Sequence, residues 1–279
     1  IRDSYRARVR ARNHVAAFIK SFYRRSDMSM LELTPDFIKE FAAYLSTEAG
    51  LRNGSIWANC MWLKGVVMKA HYNGLIPRNP FIQFHISPNV KEREYLTEDE
   101  LKAVMTHEFA DSKLAYIRDI FIFASFTALS FVDIQELTND NIVEVNGEKW
   151  ILSKRHKTKV AFQVKLLDIP LQIVERYRPM QKDNRIFPGL NYWSICKPLK
   201  RMIRECGITK SISFHCSRHG FATLALSKGM PIESVSRVLG HTNIVTTQLY
   251  AKITTQKLDN DLTMFGDKLS KTFNGITMS

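Results

Sequence analysis

A stretch without apolar periodicity, residues 87–94, constrains the folds open to this chain more than any other feature. It holds Pro88 and charges of both signs, and it follows two proline-containing breaks, Ile76-Pro77 and Asn79-Pro80. Such a segment is typical of a linker between domains. A length of 279 residues also fits two modest domains better than one small domain. The sequence therefore predicts two domains, 1–90 and 91–279.

The first ninety residues carry apolar side chains at helical spacing. This pattern predicts helices over about 2–25, 34–50 and 55–73. The second helix opens with Thr34, Pro35 and Asp36, which supply an N-cap, a first-turn proline and an acidic first turn. The third ends at Asn73-Gly74, a C-cap signal. The first domain is therefore expected to be all helical.

The second part mixes helical and strand-like patterns. A capping box at Thr97 and Glu100 opens its first helix. Three strands are predicted over about 142–145, 150–152 and 160–166, the first two joined by an Asn146-Gly147 turn. Further helices are predicted over about 112–129, 170–178, 192–205, 215–228, 232–239 and 244–250. The expected fold is mainly α with a small antiparallel sheet.

Positive charge predicts a polyanionic partner. The net charge is +13, and residues 1–90 hold 13 Lys and Arg against 6 Asp and Glu. Clustered cations displace counterions from a phosphate backbone, so nucleic acid is the expected partner, although a basic surface can also serve solubility alone. The residues expected to contact DNA are Arg6, Arg10, Lys20, Lys64 and Lys69 in the first domain and Lys91 and Arg93 in the linker.

Cysteine and histidine usage argues against disulfides and metals. Cys60, Cys196, Cys206 and Cys216 form no C-x-x-C pair, which favours a reducing cytoplasm. His215 and His219 have a spacing that zinc could use, but no third ligand follows at a familiar interval. We therefore predict no metal and no other cofactor. No apolar run reaches the roughly 18 residues of a membrane span, so no membrane association is expected.

His215, Arg218, His241 and Tyr250 lie within thirty-six residues of one another. Phosphodiester transesterification needs an oxygen nucleophile, cations for the charge on the non-bridging oxygens, and an acid for the leaving oxygen. Tyr250 could be the nucleophile, and the planar fork of Arg218 suits a phosphate. Each residue taken alone is more often a packing or surface residue. Their joint spacing favours catalysis.

The run 215–219 (His-Cys-Ser-Arg-His), Leu239-Gly240-His241 and Tyr250 together resemble the catalytic core of the tyrosine recombinases of the lambda-integrase type. The resemblance covers about 5–265. It implies a helical, SAM-like core-binding domain and an α/β catalytic domain that clamp DNA between them. It also implies strand exchange through a 3′-phosphotyrosine and a Holliday junction, by a homo-tetramer on DNA that is a monomer when free. A directionality factor or host DNA-bending protein is a possible accessory partner.

One departure from the family pattern concerns its first arginine. Residues 127–134 stand where the family writes T-G-L-R-x-x-E-[IL], and Ser130 occupies the arginine position. The segment 126–130 looks like that of integrases from conjugative transposons. The same resemblance places His241 at the family's second histidine, and gives Asp133 and His219 supporting positions.

The general acid implied by the resemblance is a lysine of a β-hairpin. Lys157 lies eight residues before Lys165, which stands at the family's proline, although Lys154 and Lys159 remain alternatives. Arg155, two residues before Lys157, would share its face in a strand and could replace the missing arginine beside Ser130. The alternative is that Arg155 only contacts the DNA backbone.

The segment after Tyr250 is expected, from the resemblance, to pack on a neighbouring subunit. Its apolar residues are Leu258, Leu262, Met264, Phe265 and Leu269. Two other functions stay open. A type IB topoisomerase would relax one duplex as a monomer, and a catalytically impaired DNA-binding protein would explain Ser130.

Overall fold

The structure is a computed structural model that describes residues 2–88, 94–156, 159–181, 183–250 and 255–273. The chain divides into two compact units, Ile1–Glu92 and Arg93–Ser279. Among the described residues, no helix is both long enough and apolar enough to cross a membrane.

The first unit is helical, as predicted. Its helices are α1 (Arg2–Phe22), α2 (Pro35–Thr47) and α3 (Asn53–Tyr72), with a short 3-10 turn at Met30–Glu32. The N-cap of α2 forms as expected, because Thr34 Oγ1 accepts a hydrogen bond of 3.1 Å from the Phe37 amide. The core is aromatic: the ring of Phe18 lies 5.1 Å from that of Phe37 and 5.5 Å from that of Phe41. These rings join the apolar faces of α1 and α2.

The second unit is built around one buried helix. Its helices are α4 (Glu98–Thr106), α5 (Ser112–Thr127), α6 (Phe131–Gln135), α7 (Asp168–Tyr177), α8 (Tyr192–Glu205), α9 (His215–Ser227), α10 (Ile232–Leu239), α11 (Val245–Gln248) and α12 (Thr255–Thr272). Apolar residues cover nearly every side of α5, and α4, α7, α8 and α9 pack against it. A helix that is apolar all round must be surrounded, so α5 is the centre of the core.

A three-stranded antiparallel sheet completes this unit. Its strands, in the order β1-β2-β3, are β1 (Ile142–Val145), β2 (Glu148–Lys154) and β3 (Ala161–Lys165). Asn146 and Gly147 both have positive φ, 53° and 76°, as the tight turn of a two-residue hairpin requires. The predicted hairpin is confirmed, and β3 packs against α10.

Arg155 is not a strand residue, in contrast to the expectation from the sequence. β2 ends at Lys154, and although the Arg155 amide still donates to Val160 O at 2.8 Å, the Lys159 amide turns back to Arg155 O at 2.9 Å. Lys159 has a φ of 57°, so the chain has left the strand conformation there. The alternating faces of a strand therefore do not relate Arg155 to Lys157, which lies outside the described residues.

Candidate active site

The first turn of α9 carries three of the predicted site residues. His215 is exposed at its start, whereas Arg218 and His219 turn inward and are buried. The rings of His215 and His219 are 4.6 Å apart, and the ring of His219 lies 5.1 Å from that of Tyr250. The structure thus brings His219 next to the predicted nucleophile, with His215 on the other side of His219.

Arg218 joins two helix ends. Its NH1 donates to Ala128 O at 2.7 Å, and its NH2 donates to Leu239 O. Ala128 ends α5 in the left-handed conformation, and Leu239 is the last residue of α10. Helix C-terminal carbonyls lack partners within the helix and favour a cation. Burial, followed by the charge of Arg155, lowers the pKa of Arg218 to about 10, which still leaves it protonated at neutral pH.

Asp133 is the centre of a polar network behind the site. Ser130 caps α6, and its hydroxyl donates to Asp133 Oδ2 at 2.8 Å. The same carboxylate accepts from Arg155 NH1 at 2.7 Å and from the His156 amide at 3.0 Å. Burial alone would raise the pKa of Asp133, but the bonds from His156 and Arg155 outweigh it and hold the pKa below its ordinary value. Asp133 is therefore an anion that fixes the turn after β2.

Arg155 is only 6% exposed and is held from several sides. Besides Asp133, its NH2 donates to Val238 O at 2.6 Å, and its guanidinium carbon lies 4.1 Å from the centroid of the Phe162 ring. Its Nε is buried and has no hydrogen-bond partner among the described residues. Gly240, at a φ of 63°, leaves room for this side chain, since a Cβ there would lie 2.9 Å from Nε. Arg155 and Arg218 thus bind successive carbonyls at the end of α10.

His241 follows the turn at Gly240. Its Nδ1 lies 2.9 Å from the Oγ1 of Thr247, which is fully buried, and the Tyr250 amide donates to Thr247 O at 3.0 Å. Thr247 therefore connects His241 to the predicted nucleophile. Burial, then the charges of Arg218 and Arg155, lowers the pKa of His241 to about 4. The imidazole is consequently neutral at pH 7.

The candidate DNA contacts of the first unit lie on two packed helices. Arg6, Arg10 and Lys20 are exposed on α1, and α3 carries exposed Lys69 and half-buried Lys64. Arg8, which the sequence reasoning passed over, stacks on Trp62 with 4.8 Å between its guanidinium carbon and the ring centroid. Lys91 and Arg93 lie outside the described residues.

A second basic surface, on α8, also escaped the sequence reasoning. Lys197, Lys200, Arg201 and Arg204 line a surface cavity of about 420 Å³ together with Glu205. Their spacing along a helix was the signal that could have revealed it, because residues three and four apart share a face.

Comparisons with known proteins identify the family. Residues 94–257 match the phage integrase family, and residues 2–86 match the phage integrase SAM-like domain. The tyrosine recombinase XerA of Pyrococcus horikoshii is 32% identical over 177 residues, which are 58% of this chain and 58% of that protein. The tyrosine recombinase XerC of Lactobacillus leichmannii is 25% identical over 229 residues, 77% of each chain.

Solved structures share the fold. The Tn1549 transposon integrase in complex with a circular intermediate DNA superposes with a TM-score of 0.72 at 18% identity, covering 84% of this chain and 86% of that one. A lambda integrase (75–356) dimer bound to a COC′ core site gives a TM-score of 0.68 at 17% identity, with 88% and 86% covered. The family match spans more than half of the sequence and includes the whole cluster around Arg218. The chain therefore belongs to the phage integrase family, the tyrosine recombinases of the lambda-integrase type, which cleave and rejoin DNA.

Proposed function

We propose that this chain is a site-specific DNA recombinase that forms a 3′-phosphotyrosine through Tyr250. The observation that carries the proposal is that Tyr250 contacts His219, which lies on the same helix as Arg218, while Arg218 and Arg155 both bind the end of α10. Two cations held in a buried site, beside a hydroxyl nucleophile, suit a phosphodiester whose charge grows in the transition state. The substrate class is double-stranded DNA.

Arg218 and Arg155 are proposed to neutralise the scissile phosphate. Each guanidinium has five N–H donors, and the carbonyls of α10 fix its plane, so a phosphate oxygen can accept from the edge that faces it. Arg155 shares the carboxylate oxygen of Asp133 with Ser130, which places its charge beside the position of the missing arginine. Its bonds to Asp133 and to the end of α10 that also anchors Arg218 favour this role over the alternative of a peripheral backbone contact.

The histidines are proposed to contact the non-bridging oxygens. His241 is neutral, and with Nδ1 at Thr247 its Nε2–H is available to donate to the phosphate. His215 is exposed at the start of α9 and is proposed to donate a hydrogen bond to a non-bridging oxygen from there. His219 is proposed to support Tyr250 through the ring contact.

The proposed cleavage step uses one nucleophile, Tyr250, and one general acid. The Tyr250 oxygen forms a bond to phosphorus and releases its proton to solvent water, while the bond from phosphorus to the 5′ oxygen breaks. The leaving 5′ oxygen takes a proton, which we assign to Lys157. Lys154 and Lys159, both exposed near the same turn, are the alternatives. A second 5′ hydroxyl then reverses the step on the new strand, with no metal or nucleotide needed.

Strand exchange is proposed to occur in a homo-tetramer on DNA, formed from free monomers in the cytoplasm. α12 supports this proposal because it exposes apolar side chains at helical spacing: Leu258, Leu262, Phe265 and Leu269, with Met264 beside them. Burying such a face requires a partner. A second copy of the chain is the proposed partner, and a directionality factor or DNA-bending protein is a further expected one.

The test uses nicked DNA carrying candidate attachment sites and a denaturing gel. We expect a covalent protein–DNA adduct, its loss in Tyr250→Phe with binding retained, and an unchanged adduct in the control Tyr72→Phe, whose ring is 77% exposed in the first unit. An adduct that survives Tyr250→Phe contradicts the assignment. Relaxation of plasmids without joining of sites would favour the topoisomerase, and specific binding without any adduct would favour the impaired DNA-binding protein.

A further inference from the structure

The turn after β2 is fastened to α6 by both the main chain and the side chain of His156. Its amide donates to Asp133 Oδ1 at 3.0 Å, and its imidazole Nδ1 lies 2.7 Å from the carboxylate of Glu136. Asp133 and Glu136 are three residues apart, so one helical turn holds His156 at two points.

The contact with Glu136 is not needed to hold Arg155. That side chain already has Asp133, Val238 O and the Phe162 ring as partners. The chain continues from His156 directly to Lys157, the proposed general acid. The residue directly before the proposed general acid therefore has a side chain that is bonded to another part of the catalytic unit.

We propose that Glu136 and His156 are a positioning pair for leaving-group protonation. Glu136 holds the imidazole of His156 while Asp133 holds its amide, so the residue directly before the proposed general acid is fixed at two points. The inference rests on the proposed function, because it requires an acid on this turn. Neither residue touches the reacting atoms, so neither is catalytic in the strict sense.

The exposure of the pair makes the proposal testable without unfolding the protein. The side chains of His156 and Glu136 are 51% and 53% exposed, and exposed contacts of this kind contribute little to stability. The pair Lys165–Glu148 on the three-stranded sheet is a matched control. Its Nζ and Oε1 atoms are 2.8 Å apart, and its side chains are 39% and 54% exposed. Removal of that pair changes the surface charge of the hairpin but leaves the turn after β2 fastened.

The experiment measures single-turnover formation of the covalent adduct by the full chain at saturating protein. The variants are His156→Ala, Glu136→Ala, the double variant, His156→Gln and the control Lys165→Ala. Each is assayed on nicked DNA with an ordinary phosphodiester and with a 5′-bridging phosphorothiolate, whose sulfur leaves without protonation. The ratio of the two rates reports the acid step alone.

We expect His156→Ala and Glu136→Ala to slow cleavage of the phosphodiester about tenfold, since misplacing an acid forfeits part of its contribution. On the phosphorothiolate they should match the parent chain. The double variant should be no slower than either single variant, because both remove the same contact. His156→Gln, which keeps an N–H donor, should recover part of the rate, and Lys165→Ala should behave as the parent.

Equal losses on both substrates, equal losses in Lys165→Ala, or unchanged rates in the pair variants would overturn the inference. Lys157→Ala separates this outcome from failure of the proposed function. If Lys157→Ala is rescued by the phosphorothiolate while the pair variants are unaffected, the acid is right and the positioning pair is wrong. If Lys157→Ala is not rescued, the assignment of the acid fails; rescue of the pair variants would then support the pair and place the acid elsewhere on the turn.

Discussion

Asp133 and Arg155 form a buried ion pair, with 2.7 Å between Oδ2 and NH1 and neither side chain more than 7% exposed. A charge left behind by removal of its partner is costly in such a place, whereas an intact pair contributes little net stability. Substitution of Arg155 is therefore expected to change the stability of the fold and, if the proposed role is right, the phosphate chemistry as well. Experiments on this residue must measure both.

Arg155→Ala is expected to lose about 3–5 kcal/mol of unfolding free energy, because Asp133 remains as an unpaired buried anion. The activation free energy of cleavage should also rise by about 2–4 kcal/mol, which is the scale of one lost donor to a developing oxyanion. Adding Asp133→Asn should restore stability but not cleavage, whereas adding Ser130→Arg should restore part of both. Urea unfolding and single-turnover cleavage measure the two effects. A folded Arg155→Ala that cleaves like the parent would show that Arg155 does not replace the missing arginine.

Gly240→Ala is expected to destabilise the chain more than its backbone angle alone explains. The positive φ of 63° costs a residue with a Cβ about 1–3 kcal/mol, and the new Cβ would lie 2.9 Å from Arg155 Nε. Gly207→Ala is the control, since Gly207 has a φ of 74° with nothing within 4 Å of an added Cβ. Both variants should lower the midpoint of urea unfolding, but only Gly240→Ala should also slow cleavage. Equal behaviour of the two would remove the argument for close packing against Arg155.

Arg218→Lys is expected to abolish most cleavage although the charge is kept. A lysine cannot bridge Ala128 O and Leu239 O while it also presents a fork to a phosphate. Arg118→Lys serves as the control, because Arg118 is a mostly buried arginine that bonds Asp119 and His107 O away from the site. The covalent adduct on nicked DNA is the measurement. Near-normal cleavage by Arg218→Lys would limit this arginine to packing.

The depressed pKa of His241 predicts a specific pH dependence of stability. Because the folded pKa is about 4 and the ordinary value is 6.5, the unfolded chain takes up a proton between these values before the folded chain does. The contribution of His241 to stability is therefore fully present above about pH 6.5 and is lost as the pH falls toward 4. His241→Asn should reduce the difference in unfolding free energy between pH 7 and pH 5. An undiminished difference in this variant would mean that His241 titrates normally.

Arg6 and Arg10 are expected to contribute backbone contacts whose strength depends on salt. If each neutralises one phosphate, each alanine substitution should lower the slope of log affinity against log salt by about 0.9. Arg25→Ala is the control, since Arg25 already pairs with Glu32 at 2.5 Å on the same unit. Fluorescence anisotropy with the full chain and duplex DNA between low and high salt measures the slopes. A slope that is the same in all variants would place the DNA contacts elsewhere.

Local sequence signals were sufficient for most helices and for the hairpin. Tyr192–Glu205 and Ile232–Leu239 have the bounds that apolar spacing indicates, and Asn146-Gly147 marks its turn by chemistry alone. The short helix α6 was missed because five residues are too few for a periodic pattern. α12 was predicted only as an apolar tail, and its described apolar side chains are exposed and do not form part of the core.

Site residues that are marked by their spacing along the chain could be predicted from the sequence, whereas contacts that depend on tertiary packing could not. His215, Arg218, His241 and Tyr250 were predicted from their intervals. The burial of Arg155 was not, because it depends on Phe162 from β3 and on Val238 from α10, which approach only when the sheet docks on that helix. Sequence reasoning placed Arg155 in a strand and gave its neighbour His156 no task.

The end of α10 serves both arginines through adjacent carbonyls, Val238 O for Arg155 and Leu239 O for Arg218. A change in the length or register of that helix consequently shifts both cations at once. A substitution in α10 cannot adjust the position of one arginine without moving the other. The effects of such substitutions are therefore expected to be strongly non-additive with those of substitutions at Arg155 or Arg218. If Arg155 takes the place of the arginine missing from the first motif, this shared anchor is what brings it beside Arg218.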